Sequence, residues 1–389
     1  MRSRVVLIGA TGSIGRQALD VIARFPEEFE LVGAVVGHRA EVLVEALAPY
    51  PSAQAVVVAP EGPVPSGMAV GVGAACELAS MPGADVIVVG GGGASALLPT
   101  LAACEAGHLV AVATKEVLVM AGELVTRTAH DHGARIIPVD SEHSAIWQCL
   151  RGEDPQSVAR LILTASGGPF RTTPLEQMAR ATPAQALAHP NWRMGPKVTI
   201  DSATMMNKGL EVIEAHFLFE VPYSQIEVVI HPQSAIHSAV EFWDGTIIAQ
   251  LGVPDMRGPI ALAMADGRRL RGVLPPLSLA QVGRLDFERA DLTRFPALRV
   301  AREAGMRGGA LPAAMNAANE VSVAAFLDGS IQFGDIPSLV ESVVRAFVPP
   351  AELDLRAVLN ADRWAREAAL AAVTELAPNR LVSPPAVAR

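Results

Sequence analysis

A chain of 389 residues, half of them hydrophobic, is long enough for two or three domains and too apolar to be disordered throughout. Its net charge of −9 argues against a nucleic-acid binder, and three cysteines without CxxC spacing argue for a reducing, cytoplasmic setting over a disulfide framework. Only three of the 31 basic residues are lysine (Lys115, Lys197 and Lys208), which marks positions where an ammonium matters and arginine would not serve.

No apolar signal segment precedes the first strand, and no membrane partner is expected. Strands are predicted at 4–8, 31–36, 55–58, 86–89, 109–112 and 135–139, with helical spacing between them at 14–24 and 115–130. Such alternation predicts an α/β domain with a doubly wound parallel sheet over 1–150. The uncharged stretch 86–104 contains Gly90–Gly93 and Pro99, and reads as strand, glycine loop and helix start. A second α/β domain with an open sheet is expected over 151–265. Its strands are placed at 158–164, 227–231, 238–242 and 246–250, and its helices near 202–219 and 256–264. Residues 266–296 read as a linker. Residues 297–389 read as an all-helical domain that ends in a frayed tail from 377.

The motifs follow the same order. Gly9-Ala-Thr-Gly12-Ser-Ile-Gly15 joins the first strand to the first helix, where glycines let backbone N–H groups approach a pyrophosphate. The second strand ends in Gly37-His38-Arg39 with no acid, which favours a 2′-phosphate and hence NADP(H); Arg39 could equally be a plain surface residue. Lys115, in Ala113-Thr114-Lys115-Glu116, sits at a strand's C-terminal end, suited to a substrate oxygen or to acid chemistry. Asp140 and Glu142 lie two apart, so in extended backbone they point the same way. That pairing suits Mg²⁺ or Mn²⁺, and equally an acidic helix start.

Ser166 lies in a small-residue turn able to meet an anion. His189-Pro-Asn-Trp192-Arg-Met194-Gly195 is either a surface patch or a closing loop. Asp201-Ser202 reads as a strand end capping a helix on which Asn207, Lys208 and Glu211 share a face. These groups form a plausible phosphate cradle with a third carboxylate for a metal, or an ordinary surface pair. Lys197 has no derivable role, and His231 and His237 read as structural.

Taken together, GATGSIG, ATKE, PVDSEHSAIWQ, LTASGGPFR, HPNWRMG, DSATMMNKGLE, HPQSAIHS and AQLGVPDMR resemble the 1-deoxy-D-xylulose 5-phosphate reductoisomerase family in order and spacing. Met315-Asn316-Ala-Ala-Asn319-Glu320 is similar to that family's Asn-Ala-Ala-Asn-Glu segment. The resemblance implies a Rossmann-like N-terminal domain, NADPH, a divalent cation (Mg²⁺, Mn²⁺ or Co²⁺), a small phosphorylated ketose substrate and a cytoplasmic homodimer. It implies Asp140, Glu142 and Glu211 as metal ligands, and Lys115, Ser141 and Glu142 at the reacting oxygens. Ser166, His189, Ser202, Asn207 and Lys208 would hold the phosphate region, with Trp192 and Met194 on a closing loop. Thr11, Gly12, Ser13, Ile14, Gly37, His38, Arg39, Thr114, Glu116 and Gly195 would line the NADPH site. The chain has Thr114 where the family usually has Asn, a longer glycine run at Gly90–Gly93, and a shifted basic pair at His38-Arg39. The alternatives are another NADP-dependent two-domain dehydrogenase, with Cys149 as the nearby thiol, and a non-catalytic NADP-binding protein.

Overall fold

The structure is a computed structural model that describes residues 2–192 and 194–376; the expected frayed tail lies outside the described residues. The first sheet contains β1 (Ser3–Ile8), β2 (Phe29–Val36), β3 (Gln54–Val57), β4 (Ala69–Val70), β5 (Val86–Val89), β6 (Leu109–Val112) and β7 (Arg135–Pro138). The order is β4-β3-β2-β1-β5-β6-β7, parallel throughout. Its helices are α1 (Ser13–Arg24), α2 (Ala40–Leu47), α3 (Val72–Ala79), α4 (Leu97–Glu105) and α5 (Lys115–Asp131). Strands such as Val-Ile-Val-Val in β5 are apolar at every position because both faces are covered. The chain runs outward from β1 to β4 and returns to β5 beside β1, so the switch point falls between β1 and β5. Ligands of doubly wound sheets bind at such a point.

After α6 (Ser141–Cys149) comes a second, mixed sheet in the order β11-β10-β8-β9-β12. Its strands are β8 (Val158–Ala165), β9 (Ile226–Ile230), β10 (Ile236–Phe242), β11 (Ile247–Leu251) and β12 (Glu288–Arg289). Between β8 and β9 lie α7 (Leu175–Ala179), α8 (Pro183–Ala186), α9 (Pro196–Thr204) and α10 (Met206–Phe219). The stretch expected as a linker is only partly irregular. It includes α12 (Leu279–Val282) and β12, which pairs with β9. Val273 joins α11 (Arg257–Met264) in the core on the α1 side of the first sheet. The bundle α13 (Pro296–Arg307), α14 (Leu311–Leu327), α15 (Asp335–Ala346) and α16 (Leu355–Leu376) packs on the other face, sharing one core with α4 and α5.

One expected strand is absent. Residues 198–200 are β-branched and read as a strand, but they lie inside α9. Pro196 presets the first helical φ after Gly195, and burial of Ile200 and Ala203 overrides the local β preference. Asp201 and Ser202 therefore do not cap a helix. The chain turns at Met205, with φ 63°, before α10 begins.

Candidate active site

The turn after β1 depends on its glycines. Gly9 has φ +85°, and a Cβ there would come within 2.8 Å of Gly91 in the turn after β5. A Cβ at Gly15 would lie 2.3 Å from the Gly9 carbonyl oxygen, so α1 can approach the strand only without a side chain. Gly12 starts α1 with no acidic residue in its first turn, leaving its N–H groups free for an anion. Ser13 and Ile14 line the main cleft. Gly37, His38 and Arg39 follow β2 on the same rim but are not among the residues lining that cleft. His38 Nδ1 pairs with the Ala59 carbonyl oxygen at 2.9 Å.

Three carboxylates converge below this rim. Asp140 ends the loop after β7, Glu142 lies in the first turn of α6, and Glu211 projects from α10. One oxygen of each lies within 4.8 Å of the others. Asp140 and Glu142 meet because a helix starts between them, not through strand alternation. Lys115, at the start of α5, places Nζ 2.5 Å from Asp140 Oδ2 and 2.9 Å from Glu211 Oε1, and donates to Asn207 Oδ1 at 2.9 Å. Lys208 Nζ lies 2.6 Å from Glu142 Oε1 and pairs with Glu211 Oε2. Glu142 Oε2 also accepts from the Ser141 hydroxyl.

Burial alone would lower the Lys115 pKa, but Asp140 and Glu211 hold it well above the ordinary value. Burial would raise Asp140, yet the Lys115 ammonium keeps it below the usual range. Burial and the neighbouring Glu142 push Glu211 up, against two lysines. Three hard oxygen donors with converging atoms fit a small divalent cation. Behind them, His143 Nε2 pairs with the Glu211 carbonyl oxygen at 2.9 Å, and its Nδ1 faces Glu214 at 3.4 Å. This link braces α6 against α10. Burial lowers the His143 pKa and raises that of Glu214, disfavouring the charged form of each.

The far wall is built by the turn after β8 and the loop before α9. Ser166 Oγ lies 3.1 Å from His189 Nε2. His189 Nδ1 accepts the backbone N–H groups of Asn191 and Trp192, at 3.2 and 2.9 Å, so its proton is placed on Nε2, facing Ser166. Burial lowers its pKa, consistent with this neutral form. The Trp192 ring lies 6.1 Å from the His237 ring.

A cleft of about 570 Å³ joins these walls. It brings together Lys115, Asp140, Ser141, Glu142, Ser166, His189, Trp192, Met194, Gly195, Ser202, Asn207, Lys208 and Glu211. Thr11 and Gly12 stay in the β1 turn. Thr114 turns its hydroxyl back to the Val89 carbonyl oxygen at 3.3 Å, and Glu116 is engaged by Lys197 at 2.7 Å. Sequence reasoning missed His237, which it took as structural, and Pro254, Asp255, Met256 and Arg257, all of which line the cleft. The AQLGVPDMR motif was the available signal for the last four. His231 is structural as expected, paired with the Asp286 carbonyl oxygen and stacked on Phe287. Cys149 is buried, its thiol pushed up to about 11 by desolvation, which removes it as a nucleophile.

A doubly wound sheet whose glycine turn opens on a buried three-carboxylate, two-lysine cluster defines a dinucleotide-dependent, metal-assisted oxidoreductase. Residues 5–122 match the family profile described as 1-deoxy-D-xylulose 5-phosphate reductoisomerase. Residues 136–219 and 251–368 match the profiles of the two C-terminal domains of that enzyme. The reductoisomerase of Pelotomaculum thermopropionicum is 50% identical over 384 residues, covering 96% of this chain and 99% of its own. The solved reductoisomerase of Zymomonas mobilis, in complex with NADPH, is 42% identical with TM-score 0.88, covering 96% of this chain and 99% of its own. Another solved reductoisomerase, in complex with NADPH, fosmidomycin and magnesium, is 38% identical with TM-score 0.91 at the same coverage. The chain belongs to the 1-deoxy-D-xylulose 5-phosphate reductoisomerase family.

Proposed function

We propose that the chain converts 1-deoxy-D-xylulose 5-phosphate to 2-C-methyl-D-erythritol 4-phosphate with NADPH and a divalent cation. The observation that carries this reading is the meeting of Asp140, Glu142 and Glu211 with Lys115 and Lys208 at the rim where the β1 turn opens. The three carboxylates would hold the cation, which would polarise the ketose's adjacent oxygens, and NADPH would supply the hydride of the reduction.

The remaining roles fall to the chain's own side chains. Lys115 and Ser141 would orient substrate oxygens beside the carboxylates by donating hydrogen bonds. Ser166, His189, Ser202, Asn207 and Lys208 would hold the phosphate, whose binding energy orients the reacting end without taking part in the chemistry. His189 Nε2–H and the hydroxyls are donors suited to its oxygens. Trp192 and Met194 would exclude water. Thr11, Gly12, Ser13 and Ile14 at the α1 N-terminus would take the pyrophosphate, and His38 and Arg39 the 2′-phosphate.

Magnesium is the cation named for solved relatives; manganese or cobalt would suit the same oxygens. A cytoplasmic homodimer is part of the proposal. The dimer is supported by the edge of β11, which pairs on one side only among the described residues and carries Ile247, 54% exposed, with Trp243 at 67% in the turn before it. Among the described residues, no helix is long and apolar enough to cross a membrane.

The test is NADPH oxidation with 1-deoxy-D-xylulose 5-phosphate, with and without EDTA. Turnover with magnesium that stops on chelation is expected. No turnover with metal present would sink the reading, and turnover indifferent to EDTA would remove the cation's role.

A further inference from the structure

Lys197 takes no part in the cation or phosphate sites, yet it is one of only three lysines and its side chain is three-quarters buried. It is the second residue of α9, directly beyond the loop that carries Trp192 and Met194. Its Nζ lies 2.7 Å from Glu116 Oε1 and 2.9 Å from Asp201 Oδ2. Glu116 is the second residue of α5 and follows Lys115; Asp201 precedes Ser202. The other Asp201 oxygen accepts from Asn319 Nδ2 of α14 at 2.8 Å, and both residues are buried. A single ammonium thus joins α5 of the first domain, the loop-bearing α9 and, through Asp201, the C-terminal bundle.

Among the described residues, no other side-chain hydrogen bond or ion pair joins α9 to α5. Its N-cap is Gly195, with no side-chain cap, and Pro196 has no N–H to offer. Without the ammonium, the Glu116 and Asp201 carboxylates would face each other across the seam between α5 and α9 and repel. The displacement would reach the reaction centre, because the residue before Glu116 is Lys115, bound to Asp140 and Glu211.

We infer that Lys197 is a positioning residue for the reaction. With Asp201 and Asn319, it fixes the end of the Trp192 loop against the first turn of α5, so that loop and carboxylate cluster keep one register. The inference rests on the reductoisomerase reading and gives the Asn319 segment a task in it.

A double-variant cycle tests it, using the full chain with magnesium, NADPH and 1-deoxy-D-xylulose 5-phosphate. Lys197→Met is expected to lower kcat/KM by about 100-fold, the scale of a misplacement of roughly 1 Å. Lys197→Arg should restore most of the loss, since a guanidinium can span both carboxylates. Trp192→Ala should be costly in the wild-type background and add little to Lys197→Met, because the loop is already out of register. Additive effects of Trp192→Ala and Lys197→Met overturn the inference, as does full activity of Lys197→Met. Should Lys197→Met fail to fold, Asn319→Leu keeps the ammonium and removes one tether; its cycle with Trp192→Ala carries the same expectation, and additivity there is equally fatal. Lack of turnover by the wild-type chain would strike the reductoisomerase reading itself, whereas wild-type turnover with additive variants strikes only the positioning role.

Discussion

Glu211 has no unpaired oxygen. Its Oε1 takes Lys115 at 2.9 Å and Asn207 at 2.5 Å, and its Oε2 takes Lys208. A carboxylate with this many cationic and amide donors is held in one rotamer, which suits a ligand that must be in place before the substrate arrives. Glu211→Gln keeps the shape and removes the charge. Loss of several kcal/mol of charge stabilisation at the reaction centre predicts a fall in kcat of at least about 100-fold. NADPH binding, governed by the β1 turn, should survive. Retained turnover in steady-state assays would exclude a ligand role for Glu211. The other lysine partner, Lys208, expected at the phosphate, has its ammonium between two carboxylates. That placement lets it meet an anion only at the edge of the carboxylate cluster, so the proposed phosphate and cation sites would be neighbours sharing α10.

At the scale of elements, α10 is the hub. It carries Asn207, Lys208 and Glu211, and it is clamped on two sides by contacts that tolerate no extra atom. A Cβ at Gly122 of α5 would lie 2.2 Å from the Phe217 ring of α10, and one at Gly209 of α10 would lie 2.4 Å from Ala301 Cβ of α13. Gly122 sets the separation of α5 and α10, the helices bearing Lys115 and Glu211, and Gly209 that of α10 and α13. Gly122→Ala should therefore cost about 1–3 kcal/mol of stability by overpacking. It should also lower activity by spreading the Lys115–Glu211 pair, and urea unfolding with parallel kinetics reads both effects. Unchanged stability would show that the crossing has room to adjust.

Much of this layer was legible in sequence. Asn207, Lys208 and Glu211 fall on one helical face by spacing alone, and the glycine turn after β1 announces itself by its position. What misled was the run Val198-Thr-Ile, whose β-branched side chains suit a strand; Pro196 at the helix start and the burial of Ile200 and Ala203 against other elements outweigh that preference. His237 was missed for a similar reason, whereas Arg257 lay in the AQLGVPDMR motif that could have signalled it. His237 comes from β10, and nothing local marks it as facing the cleft. The seam linking Glu116, Lys197, Asp201 and Asn319 involves residues up to 203 positions apart in sequence, from Glu116 to Asn319, so no spacing rule exposes it.

Across the whole molecule, that seam makes stability respond to pH. Burial pushes the Glu116 carboxyl up, but the Lys197 ammonium outweighs it and leaves the group below 4.5. A depressed acid contributes stability above its unfolded value and loses it as pH falls through the folded one. Burial opposes the Lys197 charge, yet Asp201 and Glu116 hold its pKa above 10.5. Its contribution is accordingly full below 10.5 and fades as pH rises through the folded value. Urea midpoints between pH 3 and 8 should thus fall more steeply below about pH 4.5 for the wild-type chain than for Glu116→Gln. Equal slopes would mean that the seam adds nothing to stability. The proposed dimer belongs to the same scale: Ile247→Lys at the β11 edge should shift sedimentation from dimer to monomer, and a wild-type chain that already sediments as a monomer counts against a dimer altogether.

All three lysines of the sequence end in carboxylate pairs inside the protein, so the outer surface owes its positive charge to arginine. Acetylation, methylation and amine-directed cross-linking therefore have no freely exposed lysine side chain to attack while the fold is intact. Acylation detected at Lys115 or Lys208 would be a mark of chains caught open, with the carboxylate cluster already dismantled.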